Sequence, residues 1–243
     1  MFTLSQQVML VLATGVSIVS AAGSVATGQF EWLNSANAEA TQQGLYNPYR
    51  DFNTWVNRLL MPDSVVEYVE SSFQEDTAYY VNCYVRDLVM GCLVYWVTAG
   101  LWHFVIYSLK GDELFTKKGR PLPTTATMVE SMQLAQSSIF LYAALPVLSE
   151  YLIEKKLTRV YFYIDEVGGW PQYFAYLLAY VVFFEVGIYW VHRTLHTNKF
   201  LYKYVHGLHH KFNRTTTLTP WTSIAFNPID GLLQVIYIRQ SLC

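Results

Sequence analysis

Charge is what this sequence has least of. Lys, Arg, Asp and Glu make up 14% of its 243 residues, against about 25% in an ordinary soluble domain. None stands between Met1 and Phe30, and none between Leu88 and Leu109. Cysteine is scarce too: Cys83, Cys92 and Cys243 contain no Cys-x-x-Cys pair, which excludes a disulfide-stapled secreted fold. Internal repeats, Gly-rich phosphate loops and low-complexity tracts are all missing. Acids are absent from residues 192 to 214, where five bases stand. A basic run of that kind fits nucleic acid in a soluble chain, but beside an apolar run it fits the cytoplasmic face of a membrane.

What the chain does have is apolar length. It is 53% apolar and 16% aromatic. A bilayer core takes about 20 largely apolar residues per helix. Leu88 to Leu109 meets that without a charge, and Trp170 to Val191 meets it with Glu185 alone. Met132 to Leu148 is shorter and carries Pro146. The expected fold is an all-α integral membrane protein of three or four transmembrane helices, with a histidine-bearing cytoplasmic cap.

Orientation follows from the loops. Residues 28 to 87 hold nine acids and three bases, whereas residues 110 to 130 hold four bases and three acids. Short basic loops stay in the cytoplasm, so Lys110, Lys117, Lys118 and Arg120 place the end of the first strong span inside. The second span then exits and the third returns. Residues 1 to 48 are expected to be an apolar anchor and lumenal linker. A signal peptide is the other reading, although the basic start and nearby cleavage site it needs are absent.

Five of the six histidines lie between residues 192 and 210. His192 and His196 are four apart, so one helical face carries both, and His206 and His210 repeat the spacing with His209 beside them. Neutral imidazole suits Zn, Cu, Fe and Ni, and four-residue spacing lets two rings reach one ion. The plain alternative is a solvated basic and aromatic interface. A structural zinc site would include cysteine, and a zinc hydrolase would carry His-Glu-x-x-His. Here Arg193 follows His192, so neither fits. All-imidazole ligation at a membrane surface favours non-haem iron acting on a lipid and leaves the other metals open. Glu185, a carboxylate inside a span, is a candidate outer partner of the metal-bound histidines. His103 reads as a packed, satisfied histidine. Tyr189, Trp190 and Trp221 read as interfacial aromatics, and Asp230 before Gly231 as a turn or helix cap.

The stretches "IYWVHRTLH", "LYKYVHGLHH" and "TTLTPWTSIAFNPIDG" resemble the fatty acid hydroxylase and sterol desaturase superfamily, and most of all its sterol C-5 desaturases. The resemblance runs from about Tyr49 to Leu233 and defines a membrane domain at residues 49 to 235, followed by a divergent tail at 236 to 243. It implies two irons held by histidine boxes, here His192, His196, His206, His209 and His210. It also implies oxygen, electrons from a b-type cytochrome or its reductase, a Δ7-sterol taken from the bilayer, and the endoplasmic reticulum membrane. The related alternatives are a fatty acid or C-4 methyl sterol hydroxylase, or a truncated relative that binds sterol without catalysis.

Two departures qualify the resemblance. Asn227 stands where the family usually has histidine before Pro228, and so becomes a second possible outer partner beside Glu185. A third His-x-x-His-His box is expected after residue 233, and the sequence to Cys243 contains none. Two octahedral irons need about eight protein ligands, more than five histidines supply. The expectation is a chain truncated before that box, or a site completed by another chain.

Overall fold

The computed structural model describes residues 48–119, 121–158, 164–215 and 218–233. The expected N-terminal anchor and the divergent tail fall outside them. The chain forms two compact units, Met1–Asp87 and Leu88–Cys243. Among the described residues all regular structure is helical. Three helical runs, Glu75–Leu109, Thr125–Glu154 and Trp170–Thr197, are long and apolar enough to cross a membrane.

In the first unit, α1 (Pro48–Leu60) opens on proline, whose fixed φ suits the first turn and whose missing N–H is no loss there. Pro62 ends it by driving the preceding residue out of helical backbone. α2 (Asp63–Ser72) follows with an acid in its first turn, favourable at the positive end of the helix dipole. α3 (Glu75–His103) begins in this unit. Arg86 on α3 is buried; its Nη1 donates to Asn53 Oδ1 at 2.9 Å and Asn57 Oδ1 at 3.0 Å, and its Nε to Asp87 at 2.9 Å. A buried charge is tolerated only when paired and hydrogen-bonded. The exposed Arg58–Glu70 pair at 3.0 Å contributes little beside it.

The helix that carries the first span therefore starts at Glu75, ahead of the apolar run at Leu88, because Asn82, Arg86 and Asp87 interrupt the apolar run without interrupting the helix. Past His103 it widens into a π-helical turn, Phe104–Leu109. The second span is two helices, α4 (Thr125–Tyr142) and α5 (Ala144–Glu154). Thr124 caps α4, its Oγ1 accepting from Thr127 N at 3.3 Å. The break at Ala143 has a cause: Pro146 cannot donate to the carbonyl of Tyr142, and its ring crowds it. The third span, α6 (Trp170–Thr197), carries Pro171 in its first turn and ends at Asn198.

In the second unit, α3 and α4 approach closely where Gly91 faces Ile139; a Cβ there would stand 3.3 Å from Ile139 Cγ2. Small residues at such contacts let membrane helices pack through dispersion forces. The core comprises Tyr95, Ala99, Ala135, Ile139, Phe212, Trp221 and Ala225. Trp221 is thus buried in the core and not an interfacial aromatic, because its segment folds in against α3. Tyr95 Oη donates to Trp221 O at 2.9 Å and Ser138 Oγ to Phe226 O at 2.9 Å. Buried irregular backbone requires such partners. Tyr189 and Trp190 remain exposed, as interfacial aromatics should.

Candidate metal centre

α6 runs without interruption through His192 and His196, so the two rings stack with centroids 4.7 Å apart. The chain then breaks at one residue. Asn198 is extended, and its Oδ1 accepts from Phe200 N at 2.9 Å and Leu201 N at 3.1 Å. That starts a new helix at once, where the sequence suggested a longer surface turn. A π-helical turn, Tyr202–His206, leads into α7 (Gly207–Thr215). Inserted turns of this kind recur at functional sites. The π-helical turn and α7 then return His206 and His210 to the α6 pair.

Four rings meet. His196 Nε2 lies 3.1 Å from His192 Nε2, 3.2 Å from His206 Nε2 and 3.1 Å from His210 Nε2; the last two are 2.9 Å apart. One potential ligand atom from each of the four lies within 4.8 Å of the others. Hydrogen bonding does not account for this, since an imidazole nitrogen carries one proton or one lone pair and His196 Nε2 faces three neighbours. A shared cation would. Nitrogens about 2.1 Å from one ion sit about 3.0 Å apart at adjacent octahedral corners and about 3.4 Å apart at tetrahedral ones. The donor set fits a borderline metal that takes imidazole, and its spacing suits adjacent octahedral positions.

The orientation of His206 has a visible source. Its Nδ1 is 2.7 Å from Asp230 Oδ2, and both side chains are buried, at 0% and 1% exposure. Asp230 is placed to accept from an Nδ1–H, the tautomer that turns the Nε2 lone pair to the cluster. Asn227, two residues after Ala225 of the core, supports this from behind. Its Oδ1 accepts from Ile229 N at 3.0 Å and its Nδ2 donates to Tyr204 O at 3.3 Å. Asn227 is therefore the cap, and Asp230 stands at the histidine; sequence reasoning had assigned Asp230 the turn or cap. One signal was available, because Asp230 is the only acid after Glu185.

The remaining candidates lie elsewhere. Glu185 is exposed on α6, about 10 Å below His192 by the helical rise. His103 accepts from Trp221 Nε1 at 3.2 Å and lies tilted against Tyr107, a satisfied, half-buried histidine. His209 is on α7; its side chain lies outside the described atoms.

With this geometry in view, residues 177–242 match the model of the fatty acid hydroxylase family. Over those residues the chain is similar to that family. It is 40% identical over 153 residues to a Δ7-sterol-C5(6)-desaturase of Nicotiana tabacum, covering 63% of this chain and 55% of the relative. A putative Δ7-sterol-C5(6)-desaturase 2 of Arabidopsis thaliana is 37% identical over 162 residues, 67% of this chain and 57% of that one. Lathosterol oxidase of Rattus norvegicus is 34% identical over 98 residues, 38% of this chain and 30% of its own. The chain spans little more than half the length of the plant relatives. No solved structure matches. The family match covers both histidine pairs and Asp230, so the four-ring cluster lies wholly within the related region.

Proposed function

We propose that this chain works in sterol C-5 desaturation, as a multi-pass protein of the endoplasmic reticulum membrane with its histidines on the cytoplasmic side. The carrying observation is the convergence of four imidazole nitrogens at the end of a membrane span, within the residues that match the fatty acid hydroxylase model, in a chain similar to Δ7-sterol-C5(6)-desaturases. His192, His196, His206 and His210 hold metal, with His209 contributing to the pair of irons that the family resemblance implies. Two irons need ligands beyond these four. When bound, iron supplies the oxygen-activating chemistry: one hydrogen leaves each of C-5 and C-6, and O2 becomes two waters with two further electrons and two protons.

The protein's own residues do the rest. Asp230 fixes the ring of His206, and Asn227 secures the segment that bears Asp230. Glu185, deeper on α6, acts on the histidine-bearing face of that helix at most from a distance. The exposed aromatics Tyr189 and Trp190 lie where a sterol would arrive laterally from the bilayer. Arg193, Lys199 and Lys203 are exposed around the cluster, a basic surface complementary to an acidic b-type cytochrome or its reductase.

The test is expression of the chain in sterol-C-5-desaturase-deficient microsomes supplied with a Δ7-sterol, a b-type cytochrome and its reductase. A Δ5,7-diene that disappears in His196→Ala supports the proposal. A hydroxylated lipid would assign the related hydroxylase activity instead, the reaction named by the family. Absence of any product with iron bound would overturn catalysis by this chain.

A further inference from the structure

Tyr202 opens the π-helical turn that joins the two histidine pairs, and its ring meets three of the four imidazoles. It stacks on His210 with centroids 5.9 Å apart and planes at 27°. Against His196 it lies tilted at 40° and 5.6 Å, and it meets His206 at 6.2 Å and 64°. Aromatic pairs with centroids about 4.5–7 Å apart attract beyond the area they bury. Tyr202, His206 and His210 follow one another at intervals of four. The turn closes with Gly207 N–H on Tyr202 O, and all three side chains come to His196 of α6. Tyr202 Oη is itself buried.

We infer that Tyr202 is a positioning residue of the metal centre: its ring sets the planes of His210 and His196 and so aims their Nε2 lone pairs. The inference rests on the reading of these histidines as metal ligands. An imidazole turns on a soft torsion about Cβ–Cγ, and a swing of that torsion carries Nε2 out of the cluster. At His206 the 2.7 Å contact with Asp230 resists the swing. At His210 the tyrosine ring lies alongside the imidazole, so a swing must part the two rings. His196, on the neighbouring helix, leans on the same tyrosine. The contact also answers to charge. A metal-bound imidazole carries part of the ion's positive charge, and both centroids lie within about 6 Å of the tyrosine ring, the range in which an aromatic face attracts a cation. The contact is therefore stronger with metal bound than without, which separates it from packing that serves the fold alone. Phe200 supplies the control. It stands two residues earlier, is 66% exposed, and pairs with Tyr204 at 4.8 Å.

The experiment follows Co(II) binding to the full chain in detergent by ligand-field absorption, in Tyr202→Phe, Tyr202→Leu, Tyr202→Met and Phe200→Leu. Tyr202→Phe keeps the ring and should match wild type in affinity and band positions. Tyr202→Leu and Tyr202→Met remove the ring with different side chains, so that one survives a folding failure of the other. Both should weaken binding about tenfold, the low end for an outer partner of a metal-bound histidine, and shift the bands at saturation. The unfolding midpoint of the metal-free protein should move no more than in Phe200→Leu, which should bind Co(II) as wild type does. Wild-type affinity and bands without the ring would overturn the inference and leave the metal reading intact. A loss in Tyr202→Phe equal to that in Tyr202→Leu would overturn it in favour of the hydroxyl. An equal loss in Phe200→Leu would overturn it in favour of a loosened turn. Failure of both ring-less variants to fold would make the ring a requirement of the fold and overturn its role at the metal. Absence of a nitrogen-ligated spectrum in the wild type would overturn the metal reading itself, and the inference with it.

Discussion

An imidazole offers a metal one nitrogen at a time, and whatever holds the other nitrogen decides which. At His206 that partner is Asp230, 2.7 Å away and buried with it. Loss of such a carboxylate typically costs 10- to 100-fold in metal affinity. Asp230→Ala should therefore weaken Co(II) binding by about that factor, followed through the ligand-field absorption of the purified protein, while His196→Ala abolishes the four-nitrogen spectrum. Asp230→Asn, which keeps an acceptor but loses the charge, should fall between wild type and Asp230→Ala. Equal affinity in all three would show that His206 is oriented by packing alone. The four histidines were legible in the sequence because helical spacing places each pair without knowledge of the rest of the fold. Asp230 was not, because its contact closes over 24 residues. An Asp-Gly step reads locally as a turn, and only the folded segment reveals that a buried ring lies opposite.

At the scale of elements, the segment ending in Asp230 is held by close contacts as much as by hydrogen bonds. Gly231 has no room for a side chain: a Cβ would run into Tyr142 Oη, with Tyr142 Cζ at 2.5 Å and Phe226 Cε2 at 2.6 Å. Gly207 is confined too, a Cβ there standing 2.9 Å from Tyr202 O across the π-helical turn. Gly231→Ala should destabilise the protein by about 1–3 kcal/mol, read as a lowered unfolding midpoint in detergent, and should weaken metal binding by displacing Asp230. Removing the obstructing oxygen with Tyr142→Phe should recover part of both losses. An unshifted midpoint in Gly231→Ala would show that Tyr142 swings away freely. The elements themselves were unequally legible. α6 followed from its apolar run, since no charged residue but Glu185 interrupts it before the histidines. The start of α3 did not, because Arg86 looks like the end of a span until Asn53 and Asn57 are seen to satisfy it. The π-helical turn at Tyr202 has no signature in side-chain period, so the return of α7 to α6 was visible only as a pair of spacings.

At the scale of the molecule, three crossings and the position of the bases determine which compartment the metal cluster faces. Lys110, Lys117 and Lys118 follow the first span, and Arg193, Lys199 and Lys203 surround the histidines after the third. Between these two basic segments lie the second and third spans, an even number, so both segments face the same side. On the proposed orientation, positive charge retained in the cytoplasm would put the histidines on the side of the proposed electron donor. Glycan acceptors report this directly. An Asn-Gly-Thr flanked by a Gly-Ser spacer, inserted after Lys156 in the turn between the second and third spans, should gain an endoglycosidase-sensitive mass in microsomes. The same insertion after Lys118 should not, and the native Asn213-Arg214-Thr215 should stay unmodified. The reverse pattern would put the histidines in the lumen, away from any cytoplasmic donor, and the proposed electron supply would fail with it. Glycans at both inserted sites would mean that Thr125–Glu154 does not cross the bilayer, leaving Pro146 to mark a re-entrant bend.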